Sequence, residues 1–181
     1  GGVGKTTLAQ LVYNDPRVVD HFDLRLWVCV SDNFEMKTLV KAMIESATMA
    51  AKEAADLQHL DALERRLWEL LSQKRYLIVL DDVWNDQQEK WLELKSILSC
   101  GSVGASIIVT TRLKMVADIM GTLPPQCLQG ISDEDCWMLL KRRAFGQQHQ
   151  EEEEEEEVKF PELQEIGKDI VKKCGRIAHS A

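Results

Sequence analysis

The chain has 181 residues, 45% of them hydrophobic and 29% charged, enough to bury one sizeable core and to begin a second small one. Its formal charge is −8, but the unbroken run Glu151 to Glu157 supplies seven of the thirty acids, so the body is nearly neutral. That balance, with no Lys/Arg cluster or basic stripe, excludes the electrostatic footprint of a protein whose primary partner is nucleic acid.

From Lys5 to Tyr13 good helix formers place apolar residues at Leu8, Leu11 and Val12, and Asn14-Asp15-Pro16 breaks the pattern. Leu24 to Val30 (LRLWVCV) reads as a strand covered on both faces, ended by Ser31-Asp32-Asn33. Phe34 to about Ala50 and Ala55 to Leu71 then show helical spacing, the second through Leu57, Leu60, Leu63, Leu67 and Leu70. Tyr76 to Leu80 (YLIVL) is the clearest buried strand, and it ends in two adjacent carboxylates, Asp81 and Asp82. A helix over about Glu89 to Leu98, a strand over Ala105 to Thr110, a helix over about Lys114 to Met120 and a possible short strand at Cys127-Leu128 follow.

Strands separated by tens of residues and alternating with helices imply parallel pairing through helical crossovers. The expected fold class is α/β: a doubly wound parallel sheet with helices on both faces. After Gly130 the strand signals stop. One helix is expected from Ser132-Asp133-Glu134-Asp135 onward and another over about Pro161 to Lys173, with the glutamate run between them as a solvated insertion. The expected domains are residues 1–130 and a truncated helical subdomain, residues 131–181.

The cysteines, Cys29, Cys100, Cys127, Cys136 and Cys174, form no C-x-x-C spacing. Four have apolar or small neighbours that predict core positions, and all read as reduced thiols of a cytosolic protein. No apolar stretch approaches the roughly 18 residues of a membrane helix, and the first residues are not a signal peptide. The expected location is cytoplasmic. A chain opening Gly1-Gly2-Val3-Gly4 without methionine reads as an internal segment, from which targeting sequences could have been lost.

The chemistry is concentrated in three places. Gly2-Val3-Gly4-Lys5-Thr6-Thr7 matches the second half of the phosphate-binding pattern G-x-x-x-x-G-K-[ST]. Glycines let successive backbone N–H groups curve around phosphate oxygens, and the following helix points its positive end at the same anion. Lys5 is expected to reach the β- and γ-phosphates, the Thr6 hydroxyl to ligate Mg²⁺, and Thr7 to approach the α-phosphate side. The bland alternative is a glycine turn that merely starts a helix. Against it stands a second required part, an apolar strand ending in an acid that holds the magnesium shell. Asp81 is that acid.

Asp82 cannot place its side chain where Asp81 does, because neighbouring strand residues alternate. It is the candidate for orienting or deprotonating an attacking water. Arg112, at the end of the next strand, emerges at the carboxyl edge where ligands bind and can contact a γ-phosphate. Trp27, Trp68, Trp91 and Trp137 read as core or subdomain contacts. His21, His59, His149 and His179 have no metal or triad spacing.

In order, GGVGKTT, HFDLRLWVCVSDNF (His21 to Phe34), YLIVLDDVW (Tyr76 to Trp84), GASIIVTTR (Gly104 to Arg112) and LQGISDEDCWMLLKRRAF (Leu128 to Phe145) resemble the NB-ARC domain of plant disease-resistance proteins with leucine-rich repeats. The resemblance covers nearly the whole chain. It implies a P-loop NTPase fold and a cytosolic switch that holds ADP at rest, exchanges it for ATP on activation and resets by slow hydrolysis. It also implies protein partners acting through coiled-coil and leucine-rich-repeat regions outside the chain, with possible oligomerisation. Trp84 resembles the subgroup with an N-terminal coiled coil.

Two features depart from the family. Its Gly-Leu-Pro-Leu after Cys-Gly is replaced here by Arg176-Ile177-Ala178-His179-Ser180-Ala181, so the proline contact to the base does not carry over. The strand expected to feed the P-loop would lie before Gly1, and its neighbours are expected to lack a partner without it. A frame change, a cloning artefact or a decayed gene copy accounts for the first departure, and amplification of a gene segment for the chain's bounds. A conventional P-loop ATPase and a nucleotide-binding relic are the competing readings.

Overall fold

Three apolar runs form the centre of the larger unit, Lys5–Gln126, of the computed structural model. They are β1 (Leu24–Cys29), β2 (Tyr76–Val83) and β3 (Ser106–Thr111), in a parallel sheet of order β1-β2-β3. Register runs from Leu24↔Tyr76 to Cys29↔Asp81 on one side and from Leu77↔Ser106 to Leu80↔Val109 on the other. The structure describes residues 2–30, 34–48, 57, 59–145, 165–167, 169 and 171.

Helices join the strands, as parallel pairing requires. They are α1 (Lys5–Asn14), α2 (Pro16–His21), α3 (Met36–Thr48), α4 (Leu60–Leu71), α5 (Gln88–Leu98) and α6 (Lys114–Met120). Leu26, Val28, Ile78 and Leu80 form one core with Val40, Met43 and Ile44 of α3, Leu63, Leu67 and Leu71 of α4, Trp91 and Leu94 of α5, and Val116 of α6. The leucine spacing of α4 accounts for its place there: three residues one turn apart point into the core, each contributing about 1.5–3 kcal/mol on full burial. Leu77 and Val79 alternate to the other sheet face and are buried outside that cluster. α1 runs against β2 and β3 but buries only Ala9, leaving Leu8, Leu11 and Val12 exposed.

The α/β class and its parallel sheet follow the sequence pattern, with five local differences. Asp15-Pro16 starts a second helix as well as ending the first. The Asp15 carboxylate accepts the Arg17 backbone N–H at 2.9 Å, and proline suits the first helical position. β2 runs three residues beyond Leu80, through both acids. Cys127-Leu128 carries no strand. The four described cysteines are not core residues: Cys29 and Cys127 are exposed, Cys100 and Cys136 half-buried. Trp68, at 54% exposure, is likewise no core residue, whereas Trp91 is fully buried.

The second unit joins Gly1–Gly4 with Cys127–Ala181. Its helix α7 (Asp133–Phe145) is capped by Ser132, whose hydroxyl accepts the Asp135 N–H at 3.0 Å. Asp133, Glu134 and Asp135 in the first turn, with Arg142 and Arg143 in the last, complement the helix dipole. Helical residues recur at 165–167, 169 and 171. Gly167 lies so near the Trp137 indole that a methyl group there would collide with it. The glutamate run, Cys174 and residues 176–181 lie outside the described residues.

Candidate functional site

The glycine loop is built on backbone conformation. Gly2 and Gly4 have φ of +83° and +86°, where a side chain would be strained although a Cβ would meet nothing within 4 Å. The helix starts directly afterwards at Lys5, so the amides of its first turn have no partner within the helix. Lys5 is half-buried, Thr6 and Thr7 are exposed.

Within the larger unit, Thr6 and Asp81 are 75 residues apart in sequence, yet the Thr6 hydroxyl donates to Asp81 Oδ1 at 2.9 Å. The carboxylate is 5% exposed. A second hydroxyl, that of Thr110 on β3, donates to the same oxygen at 2.5 Å. No described buried side-chain nitrogen or oxygen lacks a partner, and Oδ2 of Asp81 has none among the described residues, so Oδ2 reaches solvent.

Asp82 is more exposed than its neighbour. It is half-exposed and takes φ +55°, a left-handed conformation that aspartate tolerates better than most residues. Here the pairing with β3 slips between Leu80 and Val83, a bulge that takes Asp82 out of the regular ladder. The Thr110 hydroxyl accepts the Asp82 N–H at 2.9 Å. One residue on, Thr111 donates its hydroxyl to the Val83 carbonyl at 2.7 Å and accepts the Leu113 N–H at 3.0 Å, fixing the exit of β3.

Arg112 leaves β3 at the same edge. Its Nε is 3.8 Å from Asp82 Oδ1, and its guanidinium carbon lies 5.1 Å from the centre of the Trp84 ring. The ion pair is about half exposed on both sides, which limits it to roughly 1 kcal/mol or less. Arg112 is therefore oriented without being locked.

The structure thus brings Thr6, Asp81, Asp82 and Arg112 together at the carboxyl ends of β2 and β3. Thr110 is not among the residues that sequence reasoning singles out, although the sequence holds a signal for it: aligning the apolar runs YLIVL and SIIV by their ends sets Thr110 beside Asp81. The donors of the Thr6–Asp81 pair are a hydroxyl and a carboxylate with one oxygen open to solvent, a hard-oxygen set that suits Mg²⁺.

Residues 1–150 match the family model described as the NB-ARC domain. Over its full length the chain is 50% identical to Disease resistance protein RGA2 of Solanum bulbocastanum and 49% identical to Putative disease resistance protein RGA1 of the same species. It covers 18% and 17% of those proteins. Putative disease resistance RPP13-like protein 1 of Arabidopsis thaliana is 38% identical over 176 residues, 96% of this chain and 16% of that protein. The chain spans less than a fifth of the length of these curated relatives. The chain belongs to the NB-ARC family of nucleotide-binding domains, P-loop NTPases in fold, and its relatives are plant disease-resistance proteins.

Proposed function

We propose that this chain is the ADP/ATP-operated switch of a plant intracellular immune receptor, with slow hydrolysis as its reset. The observation that carries the reading is the hydroxyl of Thr6 on the buried Asp81 carboxylate at 2.9 Å, joining the helix after the glycine loop to the acid that ends β2. Residues 1–130 form the nucleotide domain in this reading, and 131–181 begin a helical one.

Gly2, Val3, Gly4, Lys5, Thr6 and Thr7 bind the phosphates: backbone amides and the Lys5 ammonium supply positive potential, and the threonines supply hydroxyls. Thr6 and Asp81 would hold Mg²⁺, which when bound neutralises phosphate charge. Asp82, with its carboxylate at a half-exposed turn, orients or deprotonates a water. Arg112 acts as the sensor. Its weak hold on Asp82 and Trp84 is readily exchanged for a doubly charged phosphate, a stronger partner for a guanidinium. Protein partners and activation-linked oligomerisation belong, on family resemblance, to coiled-coil and leucine-rich-repeat regions outside this chain.

The test is ADP and ATP affinity, with and without Mg²⁺, on the chain extended upstream through a strand that feeds the loop, with Lys5→Ala as control. Binding that is lost in the variant supports the switch. No binding by the unaltered protein would sink it and favour a relic that keeps only the fold.

A further inference from the structure

We infer that Thr110 is a positioning residue of the magnesium side of the nucleotide site, acting through Asp81 and Asp82. The inference rests on the nucleotide reading above and adds a residue to it.

Thr110 is 7% exposed at the end of β3, and its one hydroxyl is used twice. As donor it reaches Asp81 Oδ1 at 2.5 Å, and as acceptor it takes the Asp82 N–H at 2.9 Å. These contacts solve two local problems. Asp81 is buried with no cationic partner among the described residues, and two hydroxyls on one oxygen stabilise its charge and fix its rotamer. Oδ2 is thereby turned to the open side. Asp82 stands in a bulge with φ +55°, and its N–H would lack a partner there without the Thr110 oxygen. A single hydroxyl thus sets both the orientation of one carboxylate and the backbone turn that aims the other. Valine has the same shape and meets neither need. Serine meets both.

The experiment measures nucleotide affinity in the intact protein with Mg²⁺ and with EDTA, for the unaltered chain, Thr110→Val, Thr110→Ser, Thr110→Cys and Lys5→Ala. Thr110→Val is expected to weaken Mg²⁺-dependent ATP binding about tenfold, the equivalent of about 1.4 kcal/mol, while ADP binding in EDTA changes less than twofold. Thr110→Ser should restore the magnesium effect, and Thr110→Cys, a weaker donor, should fall between. In the nucleotide-free protein, hydrogen exchange at the Asp82 amide should quicken in Thr110→Val and not in Thr110→Ser. If the valine protein does not fold, the serine and cysteine proteins carry the same comparison, because a thiol is both a weaker donor and a weaker acceptor than a hydroxyl.

Unchanged magnesium dependence in Thr110→Val, or equal losses with and without metal, would overturn the role. The first result, together with binding abolished by Lys5→Ala, would leave the nucleotide reading standing and remove Thr110 alone. Absence of binding by the unaltered protein would remove both.

Discussion

Replacing Asp81 by asparagine separates what the carboxylate does for folding from what it does for the ligand. The side chain is 5% exposed, has no cationic partner among the described residues and accepts two hydroxyl bonds on Oδ1. Asparagine keeps an oxygen for both hydroxyls and turns its amide to the open side where Oδ2 reaches solvent. Each bond then falls from the charged to the neutral range, a combined loss of about 2–3 kcal/mol. Against that stands relief of burying a charge that has no cationic partner among the described residues, several kcal/mol for an ion in a protein interior. The ligand-free variant should therefore be as stable as the parent or about 1 kcal/mol more stable, a rise of a few degrees in Tm for a domain of this size.

The ligand side has the opposite sign. A ligand at 100 times its Kd stabilises the fold by about 2.7 kcal/mol. Metal sites lose about 10- to 100-fold in affinity when even an outer partner of a ligand is changed, so loss of a direct ligand is set at about 100-fold. The same concentration would then contribute about 0.4 kcal/mol. Thermal melts of the two proteins, each with and without Mg²⁺-ATP, read both quantities. A variant that melts well below the parent without ligand, yet gains the same shift with it, would refute both halves of the reasoning.

Two further outcomes test the fold. Trp91 is fully buried, its ring centre is 4.6 Å from that of Phe34, and its indole N–H donates to the Asn85 carbonyl at 2.8 Å, so Trp91→Ala should cost about 3–5 kcal/mol in urea unfolding. A loss below about 1 kcal/mol would contradict its place in the core. Tyr76 donates its hydroxyl to the Leu98 carbonyl, and burial, with a smaller contribution from Cys100, pushes its pKa up to about 12. The folded state thus keeps a proton that the unfolded chain releases near pH 10, so its contribution is intact below pH 10 and is lost as pH rises towards 12. Tyr76→Phe should flatten that alkaline loss of stability, and an unchanged alkaline limb would count against the buried hydroxyl.

The elements that position the site are legible because their signals are local. YLIVL is uniformly apolar, which a strand buried on both faces requires, and a pair of acids closing it in a chain that also carries a G-K-T loop has a chemical rationale in the residue types alone. The less legible features depend on pairing. That Asp82 turns left-handed follows from a slip in register with β3, which no single strand reveals. The double use of the Thr110 hydroxyl needs that register too. Asp15-Pro16 reads as a breaker and is also a helix start, because the same residues serve both purposes and only the Asp15 bond to the Arg17 amide distinguishes them. The cysteines mislead for a different reason. Apolar neighbours in sequence predict a core position only if the side chain faces the same way, and Cys29 alternates away from buried Val28 to the exposed side.

β3 ends the described sheet, with β2 on one side and no strand on the other among the described residues. Its sequence, SIIVTT, is uncharged, free of proline and β-branched at five of six positions, while Ile107, Ile108 and Val109 are only half-buried. Such an edge offers unpaired amides and carbonyls to any extended chain that reaches it. A chain that ends its sheet at this edge is expected to associate through it as concentration rises. Light scattering should show a lag that shortens as protein is added, and a lysine at Ile108 should lengthen it.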